Sequence, residues 1–343
     1  MGPTAGMTLR LEEAEALATA AFIAHRTSPA NARLTARALV AAEADGQASH
    51  GLSRVAPYAL HARIGKVDGL ATPTCTQVAP AALRIDAAHG FAYAAIELAL
   101  AALPTLAASQ GIAAAAIHRS HHFGVAGQHA ERLAEAGLVC LVLGNTPKAM
   151  ALHGGRQPML GTNPLAFAAP LPGGAAPLVI DLAMSVAARG KIIAAQKAGR
   201  HIPDDWAVDE HGRPTTDPDA ALRGALSPIG GAKGAALALM VEILAAAVTG
   251  SSFGWEASSM FDDRGGPPNV GHLLVAIDPM RLSGGAFPSR TADIVAAYAA
   301  ESGTRLPGSR RIAARAAATR DGLTLAPSLL AEIRQLAGDP AHT

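Results

Sequence analysis

From Thr8 to about Leu60 apolar residues recur at helical spacing, with Glu12, Glu13, Arg33, Arg37 and Glu43 on the other faces, which predicts a helical N-terminal region. Residues 82–89 are strand-like and lead through a turn at Gly90 into a long Ala/Leu helix that runs to about Ser109. A second strand, Ala113 to His118, delivers the chain into Ser120-His121-His122-Phe123-Gly124. The next helix runs from about Ala126 to Ala136 and ends at Gly137, suited to a left-handed cap. Leu138 to Leu143 is a continuous apolar run, as a strand buried on both faces should be. Further strands are predicted at 164–169, 177–182 and 272–278, and helices near 187–197, 233–248 and 290–302. Pro170 to Pro177 and Gly265 to Pro268 read as loops. Alternation of this kind predicts an α/β layered protein.

Composition narrows the functional classes. Half of the 343 residues are hydrophobic but only 3% are aromatic, so the core is built from Ala, Leu, Val and Ile. The formal net charge of +1 offers no electrostatic footprint for nucleic acid or anionic lipid, and neither is expected as a partner. Cys75 and Cys140 lack CxxC spacing, which argues against a disulfide framework or zinc site and for a reducing, cytoplasmic setting. Met1 to Met7 reads as a short irregular leader without signal-peptide character. The apolar stretches 93–107 and 235–248 are expected to be too short to span a membrane, and Glu97 and Glu242 interrupt them.

Candidate chemistry concentrates in Asp45-Gly-Gln-Ala-Ser49-His50-Gly-Leu-Ser-Arg54. On a helix His50 and Arg54 would share a face: a guanidinium to grip a small carboxylate and an imidazole to move a proton beside it. An ordinary helix end with a surface arginine is the plain alternative. His118, His121 and His122 have a spacing that a metal-dependent hydrolase could use, yet no acidic residue accompanies them in the segment, and adjacent strand residues point to opposite faces. A non-catalytic carboxylate-binding module using Arg54 is a further alternative. The turn-rich segments Gly144–Pro147, Gly154–Pro158 and Gly161–Pro164 suit a cleft wall or simple chain reversal. Gly230-Gly-Ala-Lys233-Gly234 before a helix suits a phosphate. No G-x-G-x-x-G or P-loop motif occurs.

Taken together, Asp45-Gly-x-x-Ser-His-Gly with Arg54, Ser120-His-His-Phe-Gly-Val-Ala-Gly127, Gly161-Thr-Asn-Pro164, Asp181-Leu-Ala-Met-Ser185, Ala188-Arg-Gly-Lys191, Gly230–Gly234 and Gly271-His-Leu-Leu-Val-Ala-Ile-Asp-Pro279 resemble the malate/L-lactate dehydrogenase family that is distinct from Rossmann-type enzymes. The resemblance runs in the same order through nearly the whole chain. It implies an α/β fold with a non-Rossmann nucleotide-binding domain on a central mixed sheet, flanked by a largely helical domain from both termini. The expected division is 1–116 plus 290–343 as the helical substrate and dimerisation region and 117–289 as the NAD(P)-binding domain.

The same resemblance implies a homodimeric oxidoreductase using NAD or NADP on a small carboxylate. The substrate would be a 2-hydroxy or 2-oxo acid of the malate, lactate or sulfolactate type, or alternatively a cyclic imino acid such as piperideine-2-carboxylate or pyrroline-2-carboxylate. Carried onto this sequence, Ser49 and His50 match a proton relay, Arg54 the carboxylate ligand and Thr162 a substrate contact. His122, Phe123, Gly124, Val125 and Ala126 match a cofactor-contacting turn, with His122 a second candidate for acid/base work. Asp181, Leu182, Ala183, Lys233, Arg305, Gly308, Arg310 and Arg311 match further cofactor contacts, and no metal is implied. Ala232 stands where many members carry histidine, which leaves NAD against NADP open. Lys191 stands where the imino-acid reductases carry an aspartate linked to the serine–histidine pair, which favours the hydroxy-acid branch.

Overall fold

The computed structural model describes residues 6–338, so most of the expected leader lies outside the described residues. A seven-stranded sheet runs in the order Thr74–Ala79, Ala82–Asp86, Ile112–Ser120, Val270–Ile277, Val139–Gly144, Leu165–Ala169, Leu178–Leu182. Ala82–Asp86 and Ile112–Ser120 are parallel and the other pairs antiparallel, so the sheet is mixed. Helix Ala92–Gln110 makes the crossover that a parallel pair requires. It packs with helix Ala126–Glu135 over one face, where Ile85, Ile96, Leu103, Ile117, Leu133 and Val142 form the largest core. The second helix ends where expected, with Gly137 at φ +86°.

A second core joins the chain ends. Met7–Leu9 pairs antiparallel with Leu323–Leu325, and Phe22, Leu39, Tyr58 and Ile333 fill the space between the N-terminal helices and helix Pro327–Ala337. The N-terminal region is not one helical run. It divides into Leu11–Ala24, Pro29–Ala44, single tight turns at Ala48–His50 and Leu52–Arg54, and Val55–Ile64. Ser28 caps one start, accepting from the Asn31 N–H with Pro29 behind it. The apolar period persists across the breaks because each piece faces the same core.

Two further expectations need correction. A boundary at 116/117 would cut strand Ile112–Ser120, whose residues on both sides of that point pair with Val270–Ile277. Residues 74–120 therefore share the central sheet, and the helical layer begins and ends outside it. Helix Ala92–Gln110 has 19 residues and a mean hydropathy of 1.5, long and apolar enough by those measures alone to cross a membrane. Here it is a core helix, because Ala95, Ile96, Ala99 and Leu103 are buried on the sheet and Glu97 pairs with Arg37 and Arg132. The pattern also gave no sign of the exposed edge strand Thr74–Ala79 or of a small sheet formed by Ala207–Val208, Ala225–Leu226, Met150–Ala151 and Pro158–Leu160.

Candidate active site

The tight turns after helix Pro29–Ala44 replace the helical face expected for His50 and Arg54. Gly51, at φ −93° and ψ −140°, separates the turns. Both side chains still reach one cleft of about 860 Å³. The Ser49 hydroxyl meets His50 Nδ1 at 3.0 Å. Arg54 donates from Nε to the Ser49 carbonyl at 2.7 Å and lies 5.5 Å from the Phe261 ring centroid. Its two Nη groups make no hydrogen bond among the described residues, so the fork faces the cleft free to take a carboxylate.

Strand Ile112–Ser120 places the other histidines. Successive residues past its end point to opposite sides: His121 is buried against His61, Tyr58 and Phe91, whereas His122 lines the cleft and stacks on His50 with centroids 5.5 Å apart. His118 lies beside Arg84 and Asp86 on the strand. The three thus diverge, and among the described residues no group of three His, Cys, Asp or Glu side chains is gathered for a metal.

Burial, reinforced by the positive charge of Arg54, lowers the His50 pKa to about 4 and takes His122 well below the ordinary value, so both are neutral near pH 7. Burial raises the Tyr58 phenol to about 12 and keeps it protonated. The Tyr58 hydroxyl and His122 Nδ1 share a hydrogen bond of 2.5 Å, in which the protonated phenol is able to donate. This bond ties His122 to Tyr58, while His50 Nε2 has no partner among the described residues.

Buried polar networks hold the walls. The Glu242 carboxylate, 1% exposed, accepts from Asn145, Asn163 and the Gly254 N–H, and so fastens the loops carrying Thr146 and Thr162. The residue that interrupted an apolar stretch is thus a hub beneath the cleft. Asp45, Glu131 and Arg311 are buried and form a four-residue ion cluster with the half-buried Arg315. It ties the chain just before His50 to helix Ala126–Glu135, and removing one partner from such a cluster typically costs about 3–5 kcal/mol.

Of the expected site residues, Ser49, His50, Arg54, His122, Gly124, Val125, Ala126, Thr162, Asp181 and Ala183 line the cleft. Others are placed elsewhere. The Phe123 ring is buried and stacked on His272, so at most its backbone is available. Arg311 is committed to Glu131 and Asp45. Gly308 abuts Val179, while Leu182, Lys233, Arg305 and Arg310 are exposed and outside the cleft lining. Sequence reasoning missed Tyr58, Lys148, Arg189 and Phe261 as cleft residues. Only Arg189 lay in a quoted motif.

The residues present fit a dinucleotide. Helix Ala126–Glu135 starts at the cleft, with no cap from the Val125 side chain, after a turn in which Gly124 takes φ +72° against Tyr93. Asp181 accepts from the Gly127 N–H beside it at 2.9 Å. Helix Arg189–Lys197 opens with no side-chain cap, with Arg189 and Lys191 lining the cleft, which provides amide and cationic donors for an anion.

Sheet, helical layer and cleft together define a layered α/β protein with a mixed central sheet and a cleft lined by polar and charged side chains. The chain matches the malate/L-lactate dehydrogenase family model over residues 9–334 and belongs to that family. It is 51% identical over 307 residues to the (2R)-3-sulfolactate dehydrogenase (NADP(+)) of Chromohalobacter salexigens, covering 90% of this chain and 91% of the relative. It is 42% identical over 331 residues to the Delta(1)-pyrroline-2-carboxylate/Delta(1)-piperideine-2-carboxylate reductase of Pseudomonas putida, covering 95% and 96%. The solved delta1-piperideine-2-carboxylate reductase of Pseudomonas syringae pv. tomato matches with a TM-score of 0.91 at 39% identity, covering 96% of this chain and 99% of that one.

Proposed function

We propose that this enzyme transfers hydride reversibly between NAD(P) and C2 of a small 2-hydroxy or 2-oxo acid. The observation that carries the reading is one cleft holding a free guanidinium fork and a neutral serine-linked histidine together with the starts of two helices. The nicotinamide supplies or accepts the hydride when bound. Gly124 to Ala126, Asp181 and Ala183 would hold the cofactor, with Arg189 and Lys191 available to its phosphates.

Arg54 fixes the substrate carboxylate, a proximity contribution, and His122 turns its Nε2 towards the cleft. In oxidation neutral His50 takes the hydroxyl proton; in reduction His50 first takes a proton from solvent and delivers it to the developing alkoxide, and Ser49 steadies its ring through Nδ1. Arg54→Lys keeps the charge but loses the planar fork, and is expected to raise substrate KM by about 10- to 100-fold, equivalent to one charge-assisted hydrogen bond. Steady-state kinetics check this, and an unchanged KM for every carboxylate would sink the assignment.

The hydroxy-acid substrate is favoured by Lys191, a cation 5.8 Å from the Trp206 ring centroid at the position where the resemblance to the imino-acid reductases would have an aspartate. The similarity to a sulfolactate dehydrogenase points the same way. The cyclic imino acid reading draws on the similarity to the reductases and on the exposed Phe261 ring beside Arg54, a surface for an apolar ring. Pyruvate, oxaloacetate and sulfopyruvate, each compared with piperideine-2-carboxylate using NADH and NADPH, separate the two by loss of nicotinamide absorbance. Turnover confined to the imino acid would overturn the first reading.

The helical layer would supply the substrate side of the cleft and the central sheet the cofactor side. We read the chain as a homodimer, with the exposed Leu237, Leu239, Met240 and Ile243 on the helix beneath the sheet as candidate interface. Light scattering should then give about twice 34.6 kDa, and a monomer mass would refute it. A cytoplasmic location is supported by unpaired Cys75 and Cys140.

A further inference from the structure

Lys66 is a charged residue buried to 2% exposure and lies in none of the motifs that suggested function. It follows Gly65, the left-handed cap of helix Val55–Ile64. Its Nζ donates to the carbonyls of Ser259, Asp262 and Arg264 at 2.5, 3.0 and 2.7 Å. An ammonium has three donors and no acceptor, so this group is fully used on one loop. The Asp262 carboxylate, 3.7 Å away, adds charge compensation. Burying a cation needs such compensation, and nothing in the core of that helix calls for one.

The loop held in this way forms a wall of the cleft through Ser259, Met260, Phe261 and Asp262. Phe261 is 57% exposed, with its ring against the Arg54 guanidinium. Arg54 immediately precedes the helix whose other end carries Lys66. The loop is therefore tied to one rigid rod at two points, by its carbonyls at the C-terminal end and by an aromatic contact at the N-terminal end.

We propose that Lys66 is a positioning residue for substrate selection: it sets the 259–264 loop so that Phe261 walls the carboxylate-binding side of the cleft and orients Arg54. The proposal rests on the functional reading that Arg54 takes the substrate carboxylate. Lysine, unlike a buried apolar residue, fixes backbone carbonyls, and so fixes the path of the loop without dictating its side chains.

The test is Lys66→Met, which preserves length and removes the donors. Substrate KM is expected to rise about tenfold, a loss of 1.4 kcal/mol in binding, with kcat within about threefold and cofactor KM unchanged. Amide exchange across 259–264 is expected to quicken by at least about tenfold, because the carbonyl clamp no longer opposes local opening. Phe261→Ala, at an exposed ring that the fold does not need, is expected to raise substrate KM by itself. In a double-mutant cycle the two changes should couple, since both act on one wall. Unchanged loop exchange, a parallel change of kcat and both KM values, or an unaltered KM in Phe261→Ala would overturn the proposal. Should Lys66→Met fail to fold, Phe261→Ala decides. If the wild type turns over no 2-oxo or imino acid, the functional reading fails, and the exchange measurement still judges the clamp.

Discussion

Replacing His50 by alanine lowers turnover by about 10²- to 10⁴-fold, the range typical for a positioned acid or base, while leaving cofactor affinity nearly unchanged. The asymmetry follows from geometry. His50 touches Ser49 and stacks on His122, and its Nε2 has no partner among the described residues, so removing it empties the substrate side of the cleft and leaves the cofactor-facing turn in place. His122 differs from it in being held through Nδ1 by Tyr58, which leaves only its Nε2 towards the cleft. Stopped assays for kcat, with cofactor titration for affinity, check both halves. Near wild-type turnover in His50→Ala would move the proton transfer to His122.

The second large effect is on stability in mild acid. His61, His121, His129 and His272 are each 5% exposed or less, and burial is the first cause of a lowered pKa in all four: to about 4 for His61 and His129, to about 3 for His272, and well below the ordinary value for His121. In the unfolded chain they titrate near 6.5, so between that value and about 4 the unfolded state binds more protons than the folded one. Stability is therefore complete above pH 6.5 and lost as pH falls towards 4. From pH 7 to pH 5 each fully buried histidine contributes a loss of up to about 2 kcal/mol by this linkage. Four together would remove several kcal/mol, comparable with the whole stability of a typical domain. Paired carboxylates such as Asp86 and Glu97, whose pKa values are lowered, lose their contribution only at still lower pH. Urea unfolding followed by circular dichroism at pH 7, 6 and 5 should show the midpoint falling steeply. A constant midpoint over that range would contradict the assignment of neutral buried histidines.

Much of this was legible in the sequence, for identifiable reasons. Strands such as Val139–Gly144 and Val270–Ile277 announced themselves because burial on both faces demands unbroken apolar runs. That His50, Arg54 and His122 would meet at one cleft was legible through the run of family motifs, since the spacing of His50 and Arg54 alone suited an ordinary helix end as well. The tight turns around Gly51 were hidden, since local caps break a helix without interrupting its apolar period. Tyr58 was hidden too: it looks like a core aromatic and is one, but its hydroxyl ends at His122 across 64 positions. Arg311 shows the opposite failure, a cation in a functional-looking segment whose charge is consumed by Asp45 and Glu131. Pairings between residues far apart in the chain leave no periodic trace.

The central claim is direct hydride transfer to C2 in the His50–Arg54 cleft. With NADPH or NADH deuterated at C4 and the best 2-oxo acid of the panel, mass spectrometry of the product should find one deuterium at C2 in the wild type and almost none formed by His50→Ala in the same time. Product whose C2 hydrogen comes from solvent, or equal deuterium transfer by the variant, would contradict the account.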